Sequence, residues 1–214
     1  MVPPDLQKRA PQTREEALRD FRTDQIMAAA RRVIGAVGWP DASIDKIAED
    51  AGVARSTVYV YFDGRDDLLN QCLAQNRIGL SERVREAVQG ADGFESGLQA
   101  FLEAILVYVG EYRAFFAAIM QVRGLDPFFR HDDRPATEVD SIRVEVQAIL
   151  ADLLKQGLHE GLLDEAAMVE ATRVMGSMIY GSLMWRVNDP EPVPAADEAR
   201  SLARTLLFGI ARTG

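Results

Sequence analysis

Side chains able to do chemistry concentrate in one short stretch, Ala51 to Leu68, which reads AGVARSTVYVYFDGRDDL. Arg55, Ser56, Thr57, Tyr59 and Tyr61 follow directly on a glycine turn. Donors at this density suit nucleic acid, because arginine offers a planar fork of N–H groups and each hydroxyl can donate to a phosphate oxygen. The formal net charge of −9 argues the other way. Other candidates for chemistry are thin. His131, Asp132 and Asp133 stand in FFRHDDRP, and His159–Glu160 at a helix end, but three consecutive residues face one metal ion only in a sharply folded loop. Cys72 is the single cysteine, so no internal disulfide can form and a reduced thiol buried on a helix is expected. The chain shows no phosphate loop, CxxC pair or HExxH, and no catalytic residue, metal or cofactor is expected. The alternatives to a nucleic-acid binder are a small helical enzyme or a helical interaction module, and the second leaves Ser56, Thr57 and Tyr59 without a task.

The charge conflict eases when the charges are counted by position. Residues 1–65 hold ten Lys or Arg and ten Asp or Glu, whereas residues 66–214 hold 14 and 23, the whole of the −9. Arg9, Arg14, Arg19, Arg22, Arg31, Arg32, Arg55 and Arg65 can therefore meet phosphates individually. A composition of 48% hydrophobic and 27% charged residues is that of a soluble globular protein. No apolar run approaches the roughly 18 residues that span a bilayer. The opening MVPPDLQKRAPQTREE has prolines and charges where a signal peptide has an apolar core. A cytoplasmic protein without a membrane partner is expected.

The elements that must position these residues are helices, since the apolar pattern is helical almost everywhere and no strand-like alternation is sustained. The expected class is all-α. Thr13 with Glu16 has capping-box spacing, and Leu18, Phe21, Ile26, Ala29, Val33 and Val37 continue the period until GWPD. Residues 13–21 belong either to this helix or to a separate piece. Ser43 precedes IDKIAED, with Ile44, Ile47 and Ala48 on one face, and Gly52 ends that helix. A third helix over Arg55–Tyr61 begins so soon afterwards that the two must cross and share a core with the first, a helix-turn-helix. Val53 is its apolar plug. Long helices are expected at about 66–89, 94–109, 111–122, 135–159, 164–187 and 196–211, separated by Gly- and Pro-containing breaks.

The stretch IMAAARRVIGAVGWPDASIDKIAEDAGVARSTVYVYFDGRDDLL resembles the N-terminal domain of TetR-family transcriptional regulators. The pattern is carried by Ala28-Ala29, Gly38-Trp39, Ser43, Ile47-Ala48, Ala51-Gly52-Val53, Thr57, Tyr59, Tyr61-Phe62, Arg65 and Leu68. The resemblance implies an N-terminal arm and three-helix DNA-binding domain at 1–65 and a helical effector-binding and dimerisation domain at 66–214. It implies that Arg55, Ser56 and Thr57 meet base edges in the major groove, with Arg55 facing a guanine O6/N7 pair. Tyr59, Tyr61 and Ser43 would bond phosphates, and Arg65 would form an anion site at the next helix start. Ala54 departs from the family, which commonly has Ser or Thr there as helix cap.

The same resemblance implies a homodimer on a palindromic double-stranded DNA operator, usually as a repressor released by a small molecule. Its dimer surface would lie on the last two long helices, where Gly176 and Gly181, with Ser177 and Ser182, permit close approach and Leu202, Leu206, Leu207 and Ile210 form a stripe. The effector pocket would draw on Phe101, Tyr108, Phe116, Met120, Met175 and Met178, from a wider set that includes Phe128, Phe129 and Trp185. Charges are few in these tracts, Glu103 and Arg173 among them, so a mainly hydrophobic effector with one or two polar handles is expected.

Overall fold

A computed structural model of the chain describes residues 13–123 and 138–208, apart from side chains at 77, 120–144 and 166–173. Among the described residues every regular element is an α-helix. None of them is long and apolar enough to cross a membrane. The chain divides into two compact units between Gln75 and Asn76.

In the first unit, α1 (Arg14–Val37) is one continuous helix, so residues 14–21 belong to it. Thr13 Oγ1 accepts from the Glu16 amide at 3.1 Å and the Thr13 amide donates to Glu16 Oε2 at 3.0 Å, the reciprocal pair that the spacing predicts. Burial begins only at Ile26. Leu18 and Phe21, expected on the same apolar face, are 59% and 64% exposed. The period continues N-terminal of the layer on which α1 packs, which starts near Gln25, where Nε2 donates to Ala51 O at 2.6 Å. Helix α2 (Ile44–Ala51) buries Ile44, Ile47, Ala48 and Ala51 against α1. Helix α3 (Arg55–Tyr61) contributes Val58, followed by the buried Phe62.

Helix α4 (Arg65–Gln89) runs through the division between the units. Its first turns bury Leu68, Leu69 and Cys72. Gln75 closes that layer, accepting from Arg31 Nη1 and donating to Asp24 Oδ1, both at 2.7 Å. These contacts join Gln75, the last residue of the first unit, to α1.

The second unit is built around α5 (Phe94–Glu111), which packs against α6 (Arg113–Arg123), α7 (Glu138–His159), α8 (Glu165–Asn188) and α9 (Ala195–Phe208). Its N-cap is Gly93, which has no side chain to offer. Glu160, just past α7, supplies the cap instead: its carboxylate accepts from the Phe94 amide at 3.1 and 3.2 Å. Gly157 lets α7 approach closely, since a Cβ there would fall 2.8 Å from the Phe94 ring. Helices α8 and α9 are tied by Glu198, which accepts from Ser182 Oγ and from Arg186 Nη1. Arg186 is 8% exposed, and its buried Nε has no hydrogen-bond partner.

Candidate nucleic-acid interface

The turn that aims α3 is set by backbone geometry. Ser43 caps α2, its Oγ accepting from the Lys46 amide at 3.3 Å. Gly52 ends α2 in the left-handed region, φ 66° and ψ 35°. Its amide donates to the carbonyls of Ala48 and Glu49, so the last carbonyls of α2 are answered inside the turn. Ala54 stands at the N-cap of α3 with no side-chain hydrogen bond, as its missing hydroxyl dictates. Arg55 and Ser56 are exposed, Thr57 is half-buried, Tyr59 is exposed and Tyr61 is half-buried. Val58 is wholly buried on the opposite side, so the helix anchors by one residue per turn and leaves its N-terminal edge open.

Two of the polar side chains along this edge, Arg55 and Tyr59, are partnered. Arg55 Nη1 donates to both oxygens of Asp45, at 3.0 and 2.9 Å, and Nη2 donates to the Tyr59 hydroxyl oxygen at 3.4 Å. The guanidinium also lies 5.8 Å from the centre of the Tyr59 ring. Its pKa is raised, first by the Tyr59 hydrogen bond and then by the charge of Asp45. The Tyr59 oxygen accepts this bond and keeps its own hydrogen for a further acceptor.

Arg65, the first residue of α4, stacks 4.2 Å from the centre of Trp39. Its Nε and Nη2 are buried without hydrogen-bond partners. The Asp63 amide, two residues ahead, donates to Asp67 Oδ2 at 2.9 Å.

Several arginines that the sequence left free are engaged inside the unit. Arg32 pairs with Asp50 at 2.6 Å, Arg31 meets Gln75 and Arg22 meets Gln25. Arg14 and Arg19 are exposed on α1, and Arg9 lies outside the described residues. Cys72 is buried as expected; desolvation pushes its thiol from 9.0 up to about 12, so it is protonated and weakly nucleophilic at neutral pH.

The residues expected at a pocket divide. Phe101, Tyr108, Phe116 and Met175 meet in the buried apolar cluster of the second unit. Tyr108 and Phe116 pack edge to face at 6.5 Å, and the Tyr108 hydroxyl donates to the buried Asn76 Oδ1 at 3.2 Å. Met178 is half-buried, and the side chain of Met120 lies outside the described residues, as do Phe128, Phe129 and the side chain of Arg173. Trp185 is not in the core but 77% exposed. Glu103 lines a surface groove with Arg83, Ala100 and Glu111.

On α8, Gly176 and Gly181 are half-buried, and a Cβ at Gly181 would meet nothing within 4 Å. Leu202, Leu206 and Leu207 lie half-buried against the core of their own unit, and Ile210 lies outside the described residues. His131, Asp132 and Asp133 also lie outside them. Among the described residues no three His, Cys, Asp or Glu side chains converge as metal ligands. Asp45, Glu160 and the Arg186–Glu198 pair carry no sequence signal, because each partner is distant in the chain.

A three-helix unit bearing a helix-turn-helix, continued by one long helix into a larger helical unit, defines a class of DNA-binding transcriptional regulators. Residues 26–72 match the family model described as bacterial regulatory proteins, tetR family. The chain is 33% identical over 118 residues to the uncharacterized HTH-type transcriptional regulator TtgW of Pseudomonas putida, across 50% of this chain and 88% of that protein. It is 25% identical over 171 residues to the fatty acid metabolism regulator protein of Bacillus subtilis, across 77% of this chain and 84% of that one. The crystal structure of FadR from Bacillus subtilis in complex with stearoyl-CoA superposes with a TM-score of 0.71 at 22% identity, across 88% of this chain and 99% of that chain. The chain belongs to the tetR family of bacterial regulatory proteins, as the residues around the glycine turn imply.

Proposed function

We infer that the protein is a homodimeric repressor that binds a two-fold-symmetric double-stranded DNA operator and leaves it when an effector with a long apolar body occupies the second unit. The observation that carries the DNA half is the open edge of α3, with Arg55 and Ser56 exposed above the fully buried Val58. Arg55, Ser56 and Thr57 meet base edges, while Tyr59, Tyr61, Ser43 and Arg65 hold phosphates and fix register. An acyl chain is the effector best supported. One relative is named for fatty acid metabolism and a structure of the same fold holds stearoyl-CoA. The aromatic and methionine side chains around Tyr108 and Met175 are the candidate lining.

Coupling would run along α4, which buries Leu68 and Leu69 in the first unit and Leu80 and Val84 in the second. A ligand that prefers one position of the second half of this helix shifts the population of positions of the first, and DNA weakens the ligand by the same factor. The test has two parts. Operators are selected from a randomised duplex library with the full-length protein, and stearoyl-CoA, stearate and free coenzyme A are then titrated into the complex. Release by the acyl compounds but not by coenzyme A is the expected result, with a raised melting temperature in the absence of DNA. Binding of DNA unaffected by any long acyl compound sinks the effector, and failure to enrich any duplex sinks the regulator's mode of reading.

A further inference from the structure

Asp45 places a negative charge on the face that carries Arg55, where a polyanion is expected to dock. Its side chain is 63% exposed, that of Arg55 58%, and they lie 2.9 Å apart. The carboxylate takes Nη1 with both oxygens, and Tyr59 takes one Nη2 hydrogen at long range. Nε–H and the Nη2–H beside it form the opposite edge of the guanidinium. That edge is the bidentate donor that guanine O6 and N7 require.

We propose that Asp45 is a specificity-determining residue, which orients Arg55 across the turn and cancels its charge so that Arg55 adds affinity only where a guanine accepts from its remaining edge. This rests on the reading of Arg55 as a base contact. An unpaired arginine beside the groove binds any phosphate it reaches and strengthens every site alike through counterion release. Paired with Asp45 it is nearly neutral, and that sequence-independent gain disappears. At a site without guanine, any move that draws Arg55 away toward a phosphate leaves Asp45 unpaired against the polyanion, which penalises the wrong sequence. Because both partners are exposed, the pair is weak enough to adjust to the groove without a large cost.

The test uses the full-length protein and duplexes selected from a randomised library. Asp45→Asn removes the charge at nearly constant shape, and Asp45→Ser is a second charge-removing variant should the first fold poorly. Either is expected to bind a random-sequence duplex about three- to tenfold more tightly and to steepen the salt dependence by about one counterion per protomer. The preference for guanine at one position per half-site falls at the same time. In an Arg55→Ala background, removing Asp45 no longer changes base preference. Retention of both the guanine preference and the salt slope in the Asp45 variants, with Arg55→Ala abolishing the preference, overturns the role of Asp45 alone. A guanine preference that survives Arg55→Ala overturns the reading of Arg55 and the role of Asp45 with it.

Discussion

Arg55 and Tyr59 are linked before any DNA arrives, so their contributions to binding separate only through different measurements. Arg55→Ala is expected to weaken operator binding by about 1 to 3 kcal/mol and to relax the preference at one base pair per half-site. An unchanged footprint and affinity would falsify its role. Tyr59→Phe keeps the ring over Arg55 and removes only the hydroxyl, which accepts from Nη2 at 3.4 Å and retains a hydrogen for a phosphate. Losing one such contact should weaken cognate and random duplexes alike by about 1 kcal/mol, read by fluorescence anisotropy on both. A change in base preference instead would show that the hydroxyl acts on sequence by steering Arg55. The residue types were legible in the chain because guanidinium and hydroxyl donors crowd into Arg55–Tyr61. Their engagement was not, since Asp45 sits ten positions earlier on another helix and only the crossing of α2 and α3 brings it to Arg55.

The turn between α2 and α3 rests on a backbone angle. Gly52 has φ 66°, and a Cβ there would meet no atom within 4 Å. The cost of Gly52→Ala is therefore conformational, about 1 to 2 kcal/mol for placing an L-residue in the left-handed region. Denaturant unfolding followed by far-UV circular dichroism should show a lower midpoint, with the slope unchanged if compactness is unaltered. A stability equal to the parent would mean that the turn relaxes into another geometry. Elements of this kind are readable in sequence because their stops are local: Gly52 and the GWPD segment end α2 and α1 where expected. Contacts between elements are not local. Glu160 stands 66 residues from the Phe94 amide it caps, and nothing near either position announces the pairing. Leu18 and Phe21 show the converse, a correct helical period that continues past the layer able to cover it.

A palindromic operator demands two recognition helices held about 34 Å apart, one helical turn of DNA, so the proposed function requires a dimer whose interface lies away from α3. The monomer narrows where that interface can be. Leu202 and Leu206 on α9 turn partly toward their own core, tied by Ala199 and Ala203 buried beneath them. The side of α8 that carries Val174, Ser177, Gly181 and Trp185, at helical steps of three, four and four, is exposed except at the half-buried Gly181, with Trp185 77% exposed. A large aromatic residue that open on an apolar helix is what the centre of an interface offers to a second copy. Gly181→Glu tests this with little risk to the fold, because the added side chain leaves into empty space in the monomer. In a dimer closed through α8 it would bury two unpaired carboxylates near the two-fold axis, a cost of several kcal/mol. Sedimentation velocity at micromolar concentration should then show monomers with unchanged circular dichroism. Affinity for a full palindrome should fall toward that of an isolated half-site, since the second recognition helix is no longer delivered with the first. A dimer that survives this change would place the interface on another face and leave the exposure of Trp185 to a different partner.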